Sequence, residues 1–278
     1  MTSASESNKT NTPRNEGERY HEQLETLLVK QSAGVVEILL DRPDTLNAIS
    51  FLMREELLFI FEDCARRSDV RVVVIGGVGG AFCSGADLTE ARPDEHDLFL
   101  NRQLTKVALS LHNLAMPTIA KVEGAAVGAG CNLALGCDLV VASDSARFSE
   151  IFAKRGLSVD FGGSWFLPRL VGLQRAKEIA YFGDIYSAAD AAAMGLVNKV
   201  VPAAELDEFV DGWARRLASG PPIALALDKT LLNQSLSMTL EESLASEARS
   251  QAVNRASKDT TEALLAYSEK RAPVYRGR

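Results

Sequence analysis

"GAAVGAGCNLALGCDLVVAS", residues Gly124 to Ser143, carries the pattern on which the fold turns. A glycine-rich loop runs straight into the short apolar helical stretch "GCNLALGCD" and on into the β-branched strand "LVVAS". The segment before it, "PTIAKVEG", reads as another strand, and "VRVVVIGG" (Val70 to Gly77) is a continuous β-branched run of the kind buried on both faces. Such strands, separated by helical stretches, predict a parallel-type sheet.

Working outward, Leu27 to Lys30 and Val35 to Leu40 read as strands around a Ser-Ala-Gly turn. "NAISFLMREELLFIFEDCARR" has helical periodicity, with Ser50 as its cap. A helix is expected around Leu98 to Leu114, and "SWFLPRLVGLQRAKEIAYFG" reads as helical despite Pro168. "SAADAAAMGLVNKVVP" is a capped short helix, a stop at Gly195 and a strand. From Pro221 onward the pattern is helical to the end. The expected class is α/β with a helical C-terminal subdomain. The boundaries are 1–23 for a tail poor in apolar residues and expected to be disordered, 24–220 for the α/β core and 221–278 for the helical part.

The 278 residues are 46% apolar and 24% charged, with a net charge of −7. This balance, without any Lys/Arg block, argues against a nucleic-acid surface. Cys64, Cys83, Cys131 and Cys137 lie in apolar stretches without CxxC or Cys/His ligand spacing, so reduced buried thiols are expected, and no metal site. No apolar run reaches membrane-spanning length and no hydrophobic signal core is present near the N-terminus, which makes a cytoplasmic protein the expectation.

Two glycine-rich loops follow buried strands: "GGVGGAFCSGADL" (Gly76 to Leu88) and the Gly124 to Asp138 segment. Both are read as strand-to-helix loops, where unpaired backbone N–H groups gather. Neither loop is followed by the Gly-Lys-Ser/Thr of a phosphate loop. Leu133 stands where the dinucleotide fingerprint needs glycine, and the residues around Ser84 do not form Gly-x-Ser-x-Gly. Two readings remain open: an oxyanion hole made of one backbone N–H from each loop, or tight strand-to-helix packing through glycine.

"AFCSGADL", "GAAVGAGCNLALGCDLVVAS", "FSEIFAKRGLSVDFGGSWFLPRLVG" and "SAADAAAMGLVNKVV" resemble successive blocks of the enoyl-CoA hydratase/isomerase (crotonase) superfamily, with "RPDTLNAIS" and "EKRAPVYRGR" at the two ends. The resemblance covers about residues 25 to 278, in order. It implies a spiral of strand-strand-helix repeats, an acyl-CoA thioester as substrate with coenzyme A as part of it rather than a separate cofactor, and assembly as a homotrimer or dimer of trimers. By motif position the oxyanion donors would be the N–H groups of Ser84 and Ala129, beside Gly128. Ala48, Ala86, Asp87 and Leu88 would contribute to the CoA side. Lys270 is either a phosphate contact, in its own or a neighbouring subunit, or a solvated lysine.

The resemblance also bears on the reaction. Asn132 and Phe152 stand where the family's hydratases carry two glutamates, and neither is a general base. Glu150 is a weak substitute and is expected at the surface. Asp160 stands where double-bond isomerases of the family carry a single acid. Apolar Val159 and Phe161 should raise its pKa, while the positive end of the helix beginning near Gly163 should lower it. Its plainer reading is the cap of that helix. The favoured expectation is an enoyl-CoA isomerase working through Asp160. The alternatives are an enoyl-CoA hydratase of fatty-acid or aromatic-acid degradation and a non-catalytic acyl-CoA-binding protein. Trp165 and Phe152 are candidate walls of an acyl pocket or core residues.

Overall fold

The computed structural model describes residues 24–91, 94 and 96–278; the expected tail, 1–23, lies outside them. The chain opens with β1 (Leu27–Ser32), β2 (Val35–Leu40), α1 (Phe51–Ala65) and β3 (Val72–Gly77). It continues with α2 (Asp97–His112), β4 (Thr118–Val122), β5 (Ala125–Val127), α3 (Ala129–Leu135), β6 (Leu139–Ser143) and β7 (Arg147–Ser149). Then come α4 (Gly163–Phe182), β8 (Tyr186–Ser187), α5 (Ala188–Met194), β9 (Lys199–Val201) and α6 (Leu206–Ala218). Three helices close the chain: α7 (Pro222–Ser235), α8 (Leu240–Ala256) and α9 (Lys258–Glu269).

The β-branched runs form one six-stranded sheet in the order β1-β2-β3-β4-β6-β9, antiparallel only between β1 and β2. Its central strands β3, β4 and β6 are buried on both faces, which is why they show no polar alternation. One face (Val73, Ile75, Ala120) joins the main core, and the other (Val72, Val74, Ile119, Val141) packs against Leu206, Val210 and Ala214 of α6. A second sheet has the order β5-β7-β8. Two successive turns of the chain each give one strand to each sheet and then a helix: β4, β5 and α3, then β6, β7 and α4. The result is the expected spiral. An isolated bridge from Cys83 to Ala126 attaches the segment after β3 to the small sheet, and another from Ala86 to Ile49 ties it to the stretch before α1.

Local chemistry sets the element ends. The Ser50 hydroxyl accepts from the Met53 N–H at 3.1 Å and starts α1, and a Ser187–Asp190 capping box starts α5. The α4 stretch is helical through Pro168, as expected, with a break at Gly172, whose backbone leaves the helical region. Two expectations change. The C-terminus is not helical to its last residue, because Lys270 ends α9 in a left-handed conformation and the Asp259 carboxylate then binds the N–H groups of Arg276 and Gly277. The loop from Gly76 to Leu88 does not lead straight into a helix either, since α2 begins only at Asp97. Among the described residues no helix is long and apolar enough to cross a membrane.

Candidate functional site

The two glycine-rich loops meet edge to edge. Cys83 N–H donates to the Ala125 carbonyl at 2.7 Å, and Val127 N–H donates to the Cys83 carbonyl at 2.9 Å. Gly85, at φ +102°, lies so close to the second loop that a Cβ there would stand 2.9 Å from the Val127 oxygen and 3.7 Å from the Ala129 nitrogen. The N–H groups of Ala86 and Ala129, on either side of this contact, form no hydrogen bond within the described chain.

Ser84 is therefore corrected as a donor. Its N–H is spent on the Leu46 carbonyl and its hydroxyl on the Thr45 carbonyl, both at 2.9 Å. The positive φ of Gly85 breaks the strand-like alternation, so Ala86 does not repeat the bonding of Ser84. The free pair is Ala86 and Ala129. Two unpaired N–H groups from adjacent loops have the make-up of a hole for a developing oxyanion.

Asn132 lies three residues along α3 from Ala129, roughly 5 Å up the helix. It is fully buried, and its Nδ2 donates both to Glu150 Oε2 at 3.1 Å and to the Asp160 carbonyl at 3.0 Å. Gly163 makes this approach possible, because a Cβ there would fall about 2.5 Å from both polar atoms of the Asn132 amide.

Asp160 does not cap α4 with its side chain; the cap position is Gly162, and only the Asp160 carbonyl accepts, from Gly163 N–H at 2.9 Å. Phe161 is buried with φ 49°, a strained conformation for a side-chain-bearing residue, at the point where the chain turns into α4. Of the opposing influences, burial prevails. It pushes the Asp160 carboxyl up to about 6, while the Arg54 charge acts against it.

Glu150 is also corrected. It is not at the surface but 0% exposed, and the backbone after it enters a 3₁₀ turn (Ile151–Arg155) instead of continuing as extended chain. Burial pushes its carboxyl up to about 8, the Asp160 charge adds to this, and Cys131 and Asn132 pull partly back. Near neutrality Glu150 is thus mostly a neutral acid beside a mostly ionised Asp160. Its signal in the sequence was the apolar company of Phe148, Ile151 and Phe152.

Four buried side-chain polar atoms among the described residues lack a hydrogen-bond partner: Arg54 Nε, Asn132 Oδ1, Glu150 Oε1 and Asp160 Oδ1. Native proteins leave few such atoms. Here all four belong to one neighbourhood, because Asn132 bonds both acidic residues and Asp160 feels the Arg54 charge. A cluster of unspent polar atoms and raised carboxyl pKa values makes this region the candidate functional site.

The other candidates are distributed around it. Ala48 is buried, and its carbonyl accepts from Arg42 Nη1 at 2.7 Å; the same guanidinium pairs with Asp87 at 2.9 Å. Leu88 is 68% exposed beside them. The buried Phe152 ring reaches to 3.6 Å from where a Gly128 Cβ would be, so an apolar ring fills the space beside the second loop. Lys270 is exposed, with no hydrogen bond or ion pair to the cluster. Trp165 packs edge-on against His112 at 5.1 Å and lines a cavity of about 410 Å³ between α3, α4 and α7.

Residues 30–278 match the family described as enoyl-CoA hydratase/isomerase. The chain belongs to this family. It is 38% identical to a Rhodobacter capsulatus protein named "Probable enoyl-CoA hydratase", over 91% of this chain and 98% of that one. It is 33% identical to the Escherichia coli 1,2-epoxyphenylacetyl-CoA isomerase, over 92% and 100%. The crystal structure of an enoyl-CoA hydratase from Bacillus anthracis superposes with a TM-score of 0.88 at 33% identity, covering 91% of this chain and all of that one. The protein is thus an acyl-CoA enzyme of the enoyl-CoA hydratase/isomerase family. Its relatives bear both names, so the choice of reaction rests on the site.

Proposed function

We propose that this family member is an acyl-CoA isomerase that moves a double bond along the acyl chain with one carboxylate. Asp160 takes a proton from the carbon next to the thioester carbonyl, and the electron pair of the broken C–H bond moves onto the thioester oxygen. The Ala86 and Ala129 N–H groups hold that oxygen as an enolate. Asp160 then returns the proton to a more distant carbon of the same substrate, so acid and base are one residue and no separate cofactor takes part.

The observation that carries this reading is the buried, unpartnered Oδ1 of Asp160. It is supported by the apolar Phe152 beside the oxyanion loop and by the amide of Asn132, neither of which activates water as a base. One observation favours a second reading, hydration: buried Glu150 supplies a second carboxyl beside Asn132. Its fully buried position favours a supporting role.

The test is a spectrophotometric assay with a 3-enoyl-CoA and with crotonyl-CoA on the parent and on Asp160→Asn. The parent is expected to isomerise, with kcat/KM rising through about pH 6 as Asp160 ionises. The variant should lose about 10²- to 10⁴-fold in kcat while still binding the thioester. Full turnover by the variant, or hydration of crotonyl-CoA as the dominant reaction of the parent, overturns the isomerase reading. The working unit we propose is a homotrimer or a dimer of trimers.

A further inference from the structure

Arg54 is a buried cation whose guanidinium finds no hydrogen-bond partner among the described residues. It is the fourth residue of α1, 8% exposed, with its guanidinium stacked 4.6 Å from the ring centre of Phe51. Its Nε is buried without a partner, and no carboxylate among the described residues comes within the 4.0 Å of an ion pair. Two carboxylates act on it through space, Glu90 and Asp160. Glu90 spends Oε2 on the Phe51 N–H at 2.8 Å, at the start of the same helix. Asp160 keeps its Oδ1 unpartnered.

Removing a guanidinium from water is costly unless hydrogen bonds replace the lost hydration. Closing Arg54 onto Asp160 would supply them, and the fold does not do so. A buried donor and a buried acceptor that feel each other's charge without bonding are complementary to a ligand that offers an atom to each. If Asp160 meets the carbon that gives up its proton, the neighbouring part of the acyl group lies toward Arg54. An alkyl group there would leave the cation dry and unpaired, whereas an oxygen atom would accept from it.

We propose that Arg54 is a specificity-determining residue that donates a hydrogen bond to an oxygen on the acyl group, so that the preferred substrates are oxygenated acyl-CoA thioesters rather than plain alkenoyl-CoAs. The proposal rests on the assignment of Asp160 as the proton-transferring residue. A neutral oxygen (hydroxyl, oxo or epoxide) fits better than a carboxylate, because Asp160 and Glu90 already bring negative charge to this guanidinium.

The probes are trans-3-hexenoyl-CoA, its 5-hydroxy derivative and trans-3-hexenedioyl-CoA, offered to the full-length parent, R54M and R54K. The parent should prefer the hydroxylated thioester over the alkyl one in kcat/KM by about 10- to 100-fold, the range expected of a hydrogen bond to a charged group. R54M should lose the preference and R54K should keep part of it. An unchanged preference in R54M overturns the proposal, and stronger selection for the dioate overturns the choice of a neutral oxygen.

Dissociation constants for the same thioesters, measured in D160N with and without R54M, separate this proposal from the isomerase reading. Loss of the hydroxyl preference on adding R54M supports Arg54 even if the parent turns over none of the three. A preference that persists in the double variant refutes it. R54M exchanges the stacking on Phe51 for an apolar contact and removes no side-chain hydrogen bond among the described residues, so it should melt close to the parent; a marked fall in Tm would show a structural role instead.

Discussion

Asp160 and Glu150 show how far burial separates two acids of similar intrinsic strength. Asp160 reaches about 6 and Glu150 about 8, so near neutrality one is ionised, as the proposed base must be, while the other stays protonated. The Glu150 shift has a consequence for stability. Its folded pKa lies above the unfolded value of about 4.3. The folded chain therefore keeps a proton that the unfolded chain has released, and stability falls as pH rises from about 4.5 towards 8. Glu150→Gln carries no such proton. Its melting temperature should gain on the parent between about pH 5 and pH 8, by several degrees at the upper end. Scanning fluorimetry at three pH values reads this directly, and a pH-independent gap would contradict the buried neutral acid. The exposure of Glu150 was misjudged from the sequence because a charged residue at the end of a short strand is usually at the surface. Inside the fold it accepts from Asn132, 18 residues earlier in the chain.

At the scale of elements, the site depends on two segments held in contact. The segment after β3 and the start of α3 bring Ala86 and Ala129 together through Cys83, Gly85 and Val127, and α3 carries Asn132 onward to the turn that ends at Asp160. Gly85→Ala should disturb this twice, since it places a Cβ at positive φ and 2.9 Å from the Val127 oxygen. A loss of about 1–3 kcal/mol is expected in urea unfolding. The fall in kcat/KM should exceed what the unfolded fraction explains, because the Ala86 N–H is displaced from Ala129. Parent-like activity in a destabilised Gly85→Ala protein would remove the Ala86 N–H from the oxyanion assignment. The motif "AFCSGADL" was legible as a loop that offers N–H groups. Which N–H was free was not legible, because Ser84 is claimed by Leu46, in a turn nearly 40 residues upstream.

At the scale of the whole molecule, α7 and α8 carry no buried residue, although α7 begins with the apolar run "PIALAL". Leu232, Leu236, Leu240 and Leu244 are all more than half exposed, more apolar surface than a helical pair normally leaves to water. A second copy of the chain covering these helices would bury it, in keeping with the proposed trimer. Sedimentation equilibrium at micromolar concentration should give a mass of three or six chains, and the double substitution L236E/L240E should reduce it and lower Tm. A monomeric parent would refute the assembly.

The strands and the glycine-rich loops were legible in the sequence because they follow from short-range rules: β-branched runs bury, periodic runs coil, and glycines let backbones approach; the spiral order was implied by the family resemblance alone. Asp160 was legible for a related reason, since a lone carboxylate among Val159, Phe161 and two glycines has no local partner. Partnership across the fold could not be read this way. Ser84 spends its N–H on Leu46, Glu150 accepts from Asn132 inside the fold, and the Arg54 guanidinium is left buried without a hydrogen bond among the described residues. Whether a polar atom is spent or free depends on residues distant in the chain, and only their packing in three dimensions settles it.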